Sequence, residues 1–469
     1  MRDFIIPGEV GKMSFFRQFK HFGPNISDCA DTIVDRSPEM VFVSCFAFCY
    51  SPETISLTDE IKTRLPQIPI VAGGSGVSAY PEYFLTQESI DYAIVGEAEV
   101  SLHFFLEQYF HNMDWGAVPN LYWKQNGVIH KPQITKQTQP GDLKLIWQSV
   151  RETNQTCFVS AAYSRGCTQT CRFCSARTCH GKGFRIPSQP EFVKGTKSMA
   201  RFFEQGSKPI RLNFEDDNLL LSPEPLFALL STLKSINRDV SFCFENGVDI
   251  GLLTPSLLQR LFDAGVCKFN LSLVSINRHV LAAEQREQRI HSYEAAIQKI
   301  SDHGIDSVTY FICGLEHDSP KTAVENLAYL SRWPTIIGFS PFYPVPGLPG
   351  FSNRRLFDKL SPRLAAGSSM FPWTASLATR QLVSAFRLSR FLNLVKSKHV
   401  SETEQNLIAL TLSSKKLHTL VRVSKTGARP PSGIPAADGQ RIVPVPHMDE
   451  DLVRDCLDSA RTNFRSKLG

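Results

Sequence analysis

The chain has 469 residues, of which 42% are hydrophobic and 20% are charged, and it carries a formal net charge of +6. This length allows about two or three domains with cores of their own, and the composition excludes disordered and fibrous proteins. The charge is slightly basic, but no basic stripe with interleaved aromatic residues predicts a nucleic-acid partner. Residues 1–13 lack the features of a secretory signal, and no run of about 18 apolar residues predicts a membrane span. We therefore expect a cytoplasmic protein with no membrane partner and no clear nucleic-acid partner.

The first segment, residues 1–135, alternates predicted strands with helical patterns. Apolar runs predict strands at 40–46, 68–72 and 91–95. Leu57, Ile61 and Leu65 lie at helical spacing between the first two of these strands. Such alternation is typical of a parallel, doubly wound, Rossmann-like sheet. The stretch 136–155 is polar and irregular, and we predict that it is a linker.

The second segment, residues 156–350, repeats the alternation more fully. Apolar runs predict six strands, at 157–162, 209–214, 240–245, 267–274, 307–313 and 336–342. Helical patterns separate them, at 190–204, 223–233, 255–264, 292–303 and 321–332. Six parallel strands with right-handed helical crossovers predict a partial (β/α)6 barrel, whose functional groups collect at the carboxyl ends of the strands.

The third segment, residues 351–469, is predicted to be mainly helical. The helical pattern extends through residue 423, a Pro/Gly-rich stretch follows at 428–439, and a last helix is expected near 449–466. We expect this segment to cap the barrel mouth and shape the substrate pocket.

A cysteine cluster directly follows the first predicted barrel strand. Cys167, Cys171 and Cys174 can bind three corners of an iron–sulfur cube, which leaves the fourth iron open to a substrate. One alternative is a zinc site, with Cys179 or His180 as its fourth ligand. Another is an electron-transferring cluster that Cys179 ligates. Zinc sites usually pair two separate Cys-x₂-Cys knuckles, and the sequence has no second one, so the open cluster is favoured.

The spacing Cys-x₃-Cys-x₂-Cys resembles the signature of the radical S-adenosylmethionine (SAM) superfamily, and the resemblance covers about residues 155–350. It implies a [4Fe–4S] cluster whose open iron chelates S-adenosylmethionine, and it makes these three cysteines both metal ligands and catalytic residues. One-electron reduction would then yield a 5′-deoxyadenosyl radical. The resemblance also implies further cofactor contacts, which would be Phe173 beside the adenine, Asp216 and Asp217 after the second strand, Glu245 after the third, Ser272 or Ser275 on the fourth, and Arg286 or Arg289 beyond it.

The amino-terminal segment carries a second resemblance. Ser44-Cys45-Phe46 ends one predicted strand, and Gly73-Gly74 follows after 26 residues. This order and spacing are similar to those of the cobalamin-binding domain that precedes many radical SAM enzymes. The resemblance implies that Ser44, Gly73 and Gly74 admit the nucleotide tail of cobalamin. The Asp-x-His-x-x-Gly motif of that family is absent, so cobalamin would bind without a histidine lower ligand, or the shortened domain would serve only as a scaffold.

These resemblances together predict a cobalamin-dependent radical SAM methyltransferase. It would act on an unactivated carbon of a small-molecule or natural-product substrate and take electrons from a reductant such as flavodoxin or ferredoxin. The first alternative keeps the radical but not the methyl transfer, as in a cyclisation, rearrangement or oxidation. The others are a methylthiotransferase with a second cluster on Cys29, Cys45 and Cys49, and a non-catalytic iron–sulfur binding module.

Overall fold

The computed structural model describes residues 23–206, 208–236, 239–286, 290–422, 433–436, 440–461 and 463. These residues form two compact units. The first contains residues up to 246 together with 343–369, and the second contains 247–342 together with the residues from 370 onward. The amino-terminal sheet and the cysteine cluster therefore belong to one unit.

A five-stranded sheet organises the amino-terminal part. Its order is β1-β2-β3-β4-β5, and its strands are β1 (Val41–Ser44), β2 (Ile70–Gly73), β3 (Tyr92–Ile94), β4 (Leu121–Gln125) and β5 (Val128–His130). The first three strands are parallel, as the sequence predicts. The structure adds an antiparallel hairpin of β4 and β5, which the strand–helix alternation of the sequence did not predict. Asn126 and Gly127 make its two-residue turn with φ of 52° and 74°, the geometry that an Asn-Gly pair adopts readily.

Helices cover both faces of this sheet. Helices α1 (Ile26–Val34) and α2 (Ser51–Arg64) pack on one face, and α5 (Ala98–Phe110) packs on the other. The short helices α3 (Ser75–Ala79) and α4 (Pro81–Leu85) follow β2. Because neighbouring side chains of a strand point to opposite faces, Ile70 packs in the core under α1 and α2, whereas Val71 packs in the core under α5. The doubly wound architecture is thereby confirmed.

The first unit also holds the first barrel strands. They are β7 (Cys157–Ala162), β10 (Ile210–Phe214) and the start of β11 (Val240–Val248), and they pair in parallel. Helices α7 (Gln189–Gln205) and α8 (Pro223–Ile236) connect them. The prediction that 136–155 is irregular was wrong, because β6 (Ile146–Glu152) pairs antiparallel with β7. The side chains of β6 are mostly exposed. Its sequence therefore lacks the apolar alternation from which a strand is predicted, although its backbone is hydrogen-bonded to β7.

The second unit contains the remaining barrel strands. Strands β12 (Val266–Val274), β13 (Asp306–Cys313) and β14 (Ile336–Pro341) are parallel and lie in the order β14-β13-β12. Four helices accompany them, α9 (Pro255–Asp263), α10 (Arg278–Ala283), α11 (Ile290–Asp302) and α12 (Pro320–Ser331). All six strands and five helices that the sequence predicts for the barrel are present, which confirms the α/β class.

The carboxyl-terminal region is mainly helical, with α13 (Thr379–Lys396), α14 (Glu402–Ser414) and α15 (Glu450–Arg461). The prediction that the helical pattern extends through residue 423 was wrong, because a small antiparallel sheet follows α14. It consists of β15 (His418–Arg422), β16 (Ile434–Pro435) and β17 (Gln440–Pro444). Lys415, with φ of 55°, ends α14 in a left-handed conformation. The predicted stretch 428–439 and the end of the last predicted helix lie largely outside the described residues.

None of the helices in the described part of the chain combines the length and apolarity that a membrane crossing requires.

Candidate cofactor site

The cysteine loop leaves the carboxyl end of β7 and is closed by a short ladder. Strand β8 (Arg165–Cys167) pairs antiparallel with β9 (Gly183–Arg185), so that Cys167 faces Gly183. Cys171, Cys174 and the short helix α6 (Ala176–His180) lie between these strands. Gly166 has φ of 79°, and a Cβ at this position would collide with the carbonyl oxygen of Gly183. The ladder therefore depends on a glycine directly before the first cysteine, and it joins the two ends of the loop.

The three thiols of this loop interact with one another and with nearby donors. Cys167 Sγ accepts hydrogen bonds from the backbone N–H of Gln169 and from Asn218 Nδ2, each at 3.4 Å. Cys174 keeps an exposed surface, yet the protein atoms around its sulfur raise its pKa to about 11, with further contributions from Cys171, Asp217 and Cys167. Phe173, directly before Cys174, is half-buried. Three thiols on one closed loop, with N–H donors aimed at a sulfur, fit an iron–sulfur cluster.

The zinc alternative needs Cys179 or His180 as a fourth ligand. Both side chains already contact other groups, since Cys179 interacts with Ser75 and His180 lies between Glu97 and Asp217. Within the described ranges, no three or more His, Cys, Asp or Glu side chains are arranged around a single metal ion, and this holds for Cys167, Cys171 and Cys174 as it does for a zinc site. The contacts of Cys179 and His180 thus favour the cluster over zinc.

Asp216 and Asp217 both contact the start of the cysteine loop. Asp216 Oδ1 accepts hydrogen bonds from the N–H groups of Tyr163 and Ser164 and from the Ser164 hydroxyl. Burial raises the pKa of Asp216 to about 6, although these hydrogen bonds lower it. Asp217 Oδ2 accepts from the Gly166 N–H at 2.8 Å. These carboxylates hold the loop backbone, and their predicted contact with S-adenosylmethionine stays a prediction.

Glu215, which the sequence pattern did not single out from its acidic neighbours, has an exposed side chain at the end of β10. Its Oε1 accepts from Asn213 Nδ2 at 2.7 Å and from Ser160 Oγ at 3.1 Å. Asn213 Oδ1 in turn accepts from the backbone N–H of Glu245 at 2.9 Å. These residues connect the carboxyl ends of β7, β10 and β11. The burial alternation of β10 continues just beyond its end, so that Glu215 is exposed and Asp216 is buried. This alternation is the signal that could have distinguished the two.

A buried ionic network links the cysteine loop to the amino-terminal sheet. Glu97, which follows β3, receives hydrogen bonds from both terminal nitrogens of Arg185 at 2.8 and 2.9 Å and pairs with His180 Nδ1 at 3.0 Å. Burial raises the pKa of Glu97, but the His180 and Arg185 contacts lower it more, so that the net pKa is about 2. Glu97 could not be identified from the sequence, because its partners lie about 85 residues further along the chain.

The predicted cobalamin contacts lie at the carboxyl edge of the amino-terminal sheet. Ser44 and Gly73 are register partners on β1 and β2, and Ser44 is exposed. A Cβ on Gly73 would meet only the Ile94 carbonyl at ordinary contact distance, whereas one on Gly74 would clash with Ser44 Oγ and the Cys45 carbonyl at 2.7 Å. Gly73 therefore leaves open space at the edge, while Gly74 lets the chain close behind β1. An exposed hydroxyl beside open space at this edge fits a nucleotide-like ligand.

The cysteines of the methylthiotransferase alternative lie elsewhere in the packing. Cys45 and Cys49 are buried, and Cys45 Sγ donates to the Ala47 carbonyl. Burial raises the pKa of both thiols, to about 11 for Cys49. Protonated, buried thiols that follow a core strand agree better with packing residues than with cluster ligands.

The second unit holds the other two predicted cofactor residues. Ser272 Oγ lies against Gly247, where an added Cβ would come within 2.7 Å of it. Arg286 forms an ion pair of 3.1 Å with Asp249, and these side chains are only 8% and 7% exposed. The buried pair gives Arg286 a structural partner, and its predicted role toward the cofactor stays a prediction. Arg289, the alternative, lies outside the described residues.

Comparison with known families gives two matches along the chain. The model of the radical SAM superfamily matches residues 162–330, and the model of the B12 binding domain matches residues 18–103. The chain therefore combines a B12 binding domain with a radical SAM domain, in the order that the sequence predicts.

Two curated relatives are similar to part of the chain. Bacteriochlorophyllide d C-12(1)-methyltransferase of Chlorobaculum tepidum is 25% identical over 235 residues, which is 48% of each chain. Hopanoid C-2 methylase of Rhodopseudomonas palustris is 22% identical over 263 residues, which is 54% of this chain and 46% of the relative. The chain thus spans about half the length of the curated relatives it matches.

Solved structures show the same fold at low identity. The radical S-adenosylmethionine methyltransferase TsrM from Kitasatospora setae, with cobalamin and a [4Fe–4S] cluster bound, is 17% identical at a TM-score of 0.56, with 69% of this chain and 65% of that chain covered. OxsB, a cobalamin-dependent radical enzyme with aqua-cobalamin and S-adenosylmethionine bound, is 16% identical at a TM-score of 0.54, with 72% and 49% covered. These likenesses support the predicted order of a cobalamin-binding fold and a radical SAM fold.

Proposed function

We propose that this chain is a cobalamin-dependent radical SAM enzyme that transfers a methyl group to an unactivated carbon of a small-molecule or natural-product substrate. The observation that carries the proposal is the closed cysteine loop, which Glu97 ties to the carboxyl edge of the amino-terminal sheet. A radical-generating loop held beside a cobalamin-type domain is the arrangement that coupled radical and methyl chemistry requires. Both curated relatives are methyl-transferring enzymes by name, which supports the same direction.

Residues of this chain would hold each cofactor. Cys167, Cys171 and Cys174 would ligate the [4Fe–4S] cluster, and Ser44 and Gly73 would receive cobalamin, with no histidine as lower ligand. When bound, the cluster supplies an electron for cleaving S-adenosylmethionine, and the cobalamin supplies a transferable methyl group. Glu215 has an exposed carboxylate at a strand end, so it is suited to accept hydrogen bonds from an ammonium group.

The other predicted contacts complete the proposal for S-adenosylmethionine. Phe173 would lie beside the adenine, and Asp217, Glu245 and Ser272 would supply polar contacts. Asp216 and Arg286 already have buried partners, so we expect them to act mainly by fixing the backbone that carries these groups.

The partners follow from this chemistry. The substrate would be a small molecule, and a one-electron donor such as flavodoxin or ferredoxin would reduce the cluster. Because Cys174 keeps an exposed surface, the loop needs a reducing compartment, and the cytoplasm provides one.

The test is anaerobic reconstitution of the full chain with iron, sulfide and hydroxocobalamin, followed by desalting and metal analysis. We expect about four irons and one cobalt per chain. Reduced protein incubated with S-adenosylmethionine should then release 5′-deoxyadenosine. The Cys171→Ala variant serves as the control and should lose iron and 5′-deoxyadenosine but keep cobalt.

Each other result overturns part of the proposal. Iron with 5′-deoxyadenosine but without cobalt would favour a radical cyclisation, rearrangement or oxidation over methyl transfer. Iron without 5′-deoxyadenosine under strong reduction would leave a non-catalytic iron–sulfur module. Full iron loading of Cys171→Ala would remove the cluster assignment itself.

A further inference from the structure

Asn218 stands out among the residues around the cysteine loop because it is a buried polar side chain that contacts a cysteine sulfur. It follows Asp217 at the end of the acidic run, and it is 3% exposed. Its Nδ2 lies 3.4 Å from Cys167 Sγ. Its Oδ1 is buried and has no hydrogen-bond partner among the described residues. Burying an amide whose oxygen has no hydrogen-bond partner lowers the stability of the fold. The contact of the Asn218 nitrogen with the Cys167 sulfur therefore needs an explanation.

The orientation of this amide follows from the chemistry of the sulfur. A cysteine that ligates iron is a thiolate, which accepts hydrogen bonds and does not donate them. An amide nitrogen facing the sulfur is therefore attractive, whereas an amide oxygen in the same place would be repelled. The Gln169 backbone N–H reaches the same sulfur at 3.4 Å, so Cys167 receives one backbone donor and one side-chain donor. Only the side-chain donor can be removed without changing the backbone.

We propose that Asn218 is a positioning residue that tunes the reduction potential of the cluster through its hydrogen bond to Cys167. Reduction adds one electron to the cluster and makes it more negative by one charge. An N–H···S hydrogen bond stabilises the more negative state, so it raises the reduction potential. Asn218 thereby makes it easier for the external one-electron donor to reduce the cluster. This inference rests on the proposed assignment of the cluster to Cys167, Cys171 and Cys174.

The test compares the midpoint potential of the reconstituted cluster in the full chain and in two variants. Asn218→Leu keeps a similar volume and has no donor, and Asn218→Asp keeps the shape and replaces the donor with an acidic group. The measurement is a redox titration followed by electron paramagnetic resonance, without S-adenosylmethionine, cobalamin or substrate. We expect a lower midpoint potential in both variants at unchanged iron content, with the larger shift in Asn218→Asp because of its added negative charge.

Gln137→Leu is the matched control. The Gln137 amide donates to the carbonyls of His180 at 2.5 Å and Lys182 at 3.1 Å, so it holds the same loop without contacting a sulfur. Its loss should leave the midpoint potential unchanged. In a second measurement, the reduced cluster exchanged into D₂O should show weaker deuterium coupling in Asn218→Leu than in the parent chain.

Two results would overturn this inference. One is an unchanged midpoint potential in Asn218→Leu at full iron content, and the other is an equal shift in Gln137→Leu. Failure of the parent chain to hold iron is a separate result, since it would overturn the proposed function before any variant is compared.

Discussion

Single residues determine whether the cysteine loop can close. Gly166 on β8 and Gly183 on β9 lie one register position apart across the ladder, since Gly166 faces Phe184 and Cys167 faces Gly183. Both glycines have positive φ, but their surroundings differ. A Cβ on Gly166 would meet the Gly183 carbonyl, whereas one on Gly183 would meet nothing within 4 Å. The two positions therefore separate the effect of a collision from the effect of backbone strain.

We expect Gly166→Ala to lower the free energy of unfolding more than Gly183→Ala, which adds only the strain of about 1–3 kcal/mol. The collision should also open the ladder and speed the loss of iron. Thermal unfolding and the rate of iron release to a chelator would be measured for both variants. Equal effects would mean that the close approach at Gly166 does not hold the loop.

Asp216 gives the same loop a pH dependence. Its pKa is about 6 in the folded chain because it is buried, against about 3.9 in an unfolded chain. Between these values the folded chain binds more protons, so the contribution of Asp216 to stability falls as the pH rises from about 4 to about 6. Over the whole range, the contribution of Asp216 to the free energy of unfolding falls by roughly 2–3 kcal/mol.

Asp216→Asn should therefore flatten the pH dependence of stability in that window, because the amide does not ionise. The thermal unfolding midpoint of the metal-free chain would be followed from pH 4 to pH 7. Asp142→Asn, at an exposed position, is the control and should keep the slope of the parent chain. A parent-like slope in Asp216→Asn would contradict the assigned burial effect.

At the scale of secondary-structure elements, a single carboxylate connects two of them. Glu97 directly precedes α5 and follows β3, and Arg185 ends β9. Their side chains are 6% and 10% exposed, so removing one partner leaves a buried charge without its counter-ion. Such a loss typically costs about 3–5 kcal/mol. Gly96 adds to the junction, because its φ of 73° and missing Cβ let the Cys179 carbonyl approach.

We expect Glu97→Gln to destabilise the chain by roughly 3 kcal/mol at pH 7. The pKa of Glu97 is lowered to about 2, so its contribution is complete above the unfolded value of about 4.3 and is lost as the pH falls toward 2. The gap between variant and parent should therefore shrink below about pH 4. Thermal unfolding of the metal-free variant and parent chain from pH 3 to pH 7 measures this gap in stability.

Glu99→Gln is the control for this junction, since Glu99 is exposed on the same first turn of α5. It should leave stability unchanged across the pH range. A Glu97→Gln variant as stable as Glu99→Gln at pH 7 would show that the ionic network does not hold the loop to the sheet.

At the scale of the whole molecule, the proposed cofactors belong to separate structural elements. The cluster would depend on the loop after β7, and cobalamin on the edge formed by β1 and β2. Gly73 leaves room for a side chain and has no positive φ, so Gly73→Val should fold while filling the open edge. The two sites can then be impaired one at a time.

We expect Gly73→Val to weaken cobalamin binding at least about tenfold, a change of about 1.4 kcal/mol, while it keeps the iron content of the parent chain. Cys171→Ala should show the reverse pattern. Equilibrium titration with hydroxocobalamin, followed by its visible spectrum, measures the first variant, and iron analysis measures both. Unchanged cobalamin affinity in Gly73→Val would remove the proposed site from this edge.

Much of the fold was predictable because its patterns are local. Buried strands appear as apolar runs and helices as apolar residues at helical spacing, so the six barrel strands were located within a few residues. Strand β6 and the sheet of β15 and β17 were not, because strand pairing supplies their hydrogen bonds and their own side chains carry little apolar alternation. The cluster loop was equally readable, since all three cysteines lie within eight residues of one another.

Contacts between distant segments required the folded structure. Nothing near residue 97 indicates that Glu97 pairs with Arg185, and nothing near residue 218 indicates that Asn218 reaches a cysteine sulfur. The different environments of Glu215 and Asp216 also arise only on folding. Asp216 is buried and accepts hydrogen bonds from the loop backbone, whereas Glu215 stays exposed. The cofactor chemistry could be predicted because it depends on residue type and local spacing, which the sequence gives directly. Burial, charge pairing and hydrogen bonding depend on how separated segments pack together, so only the tertiary structure decides them.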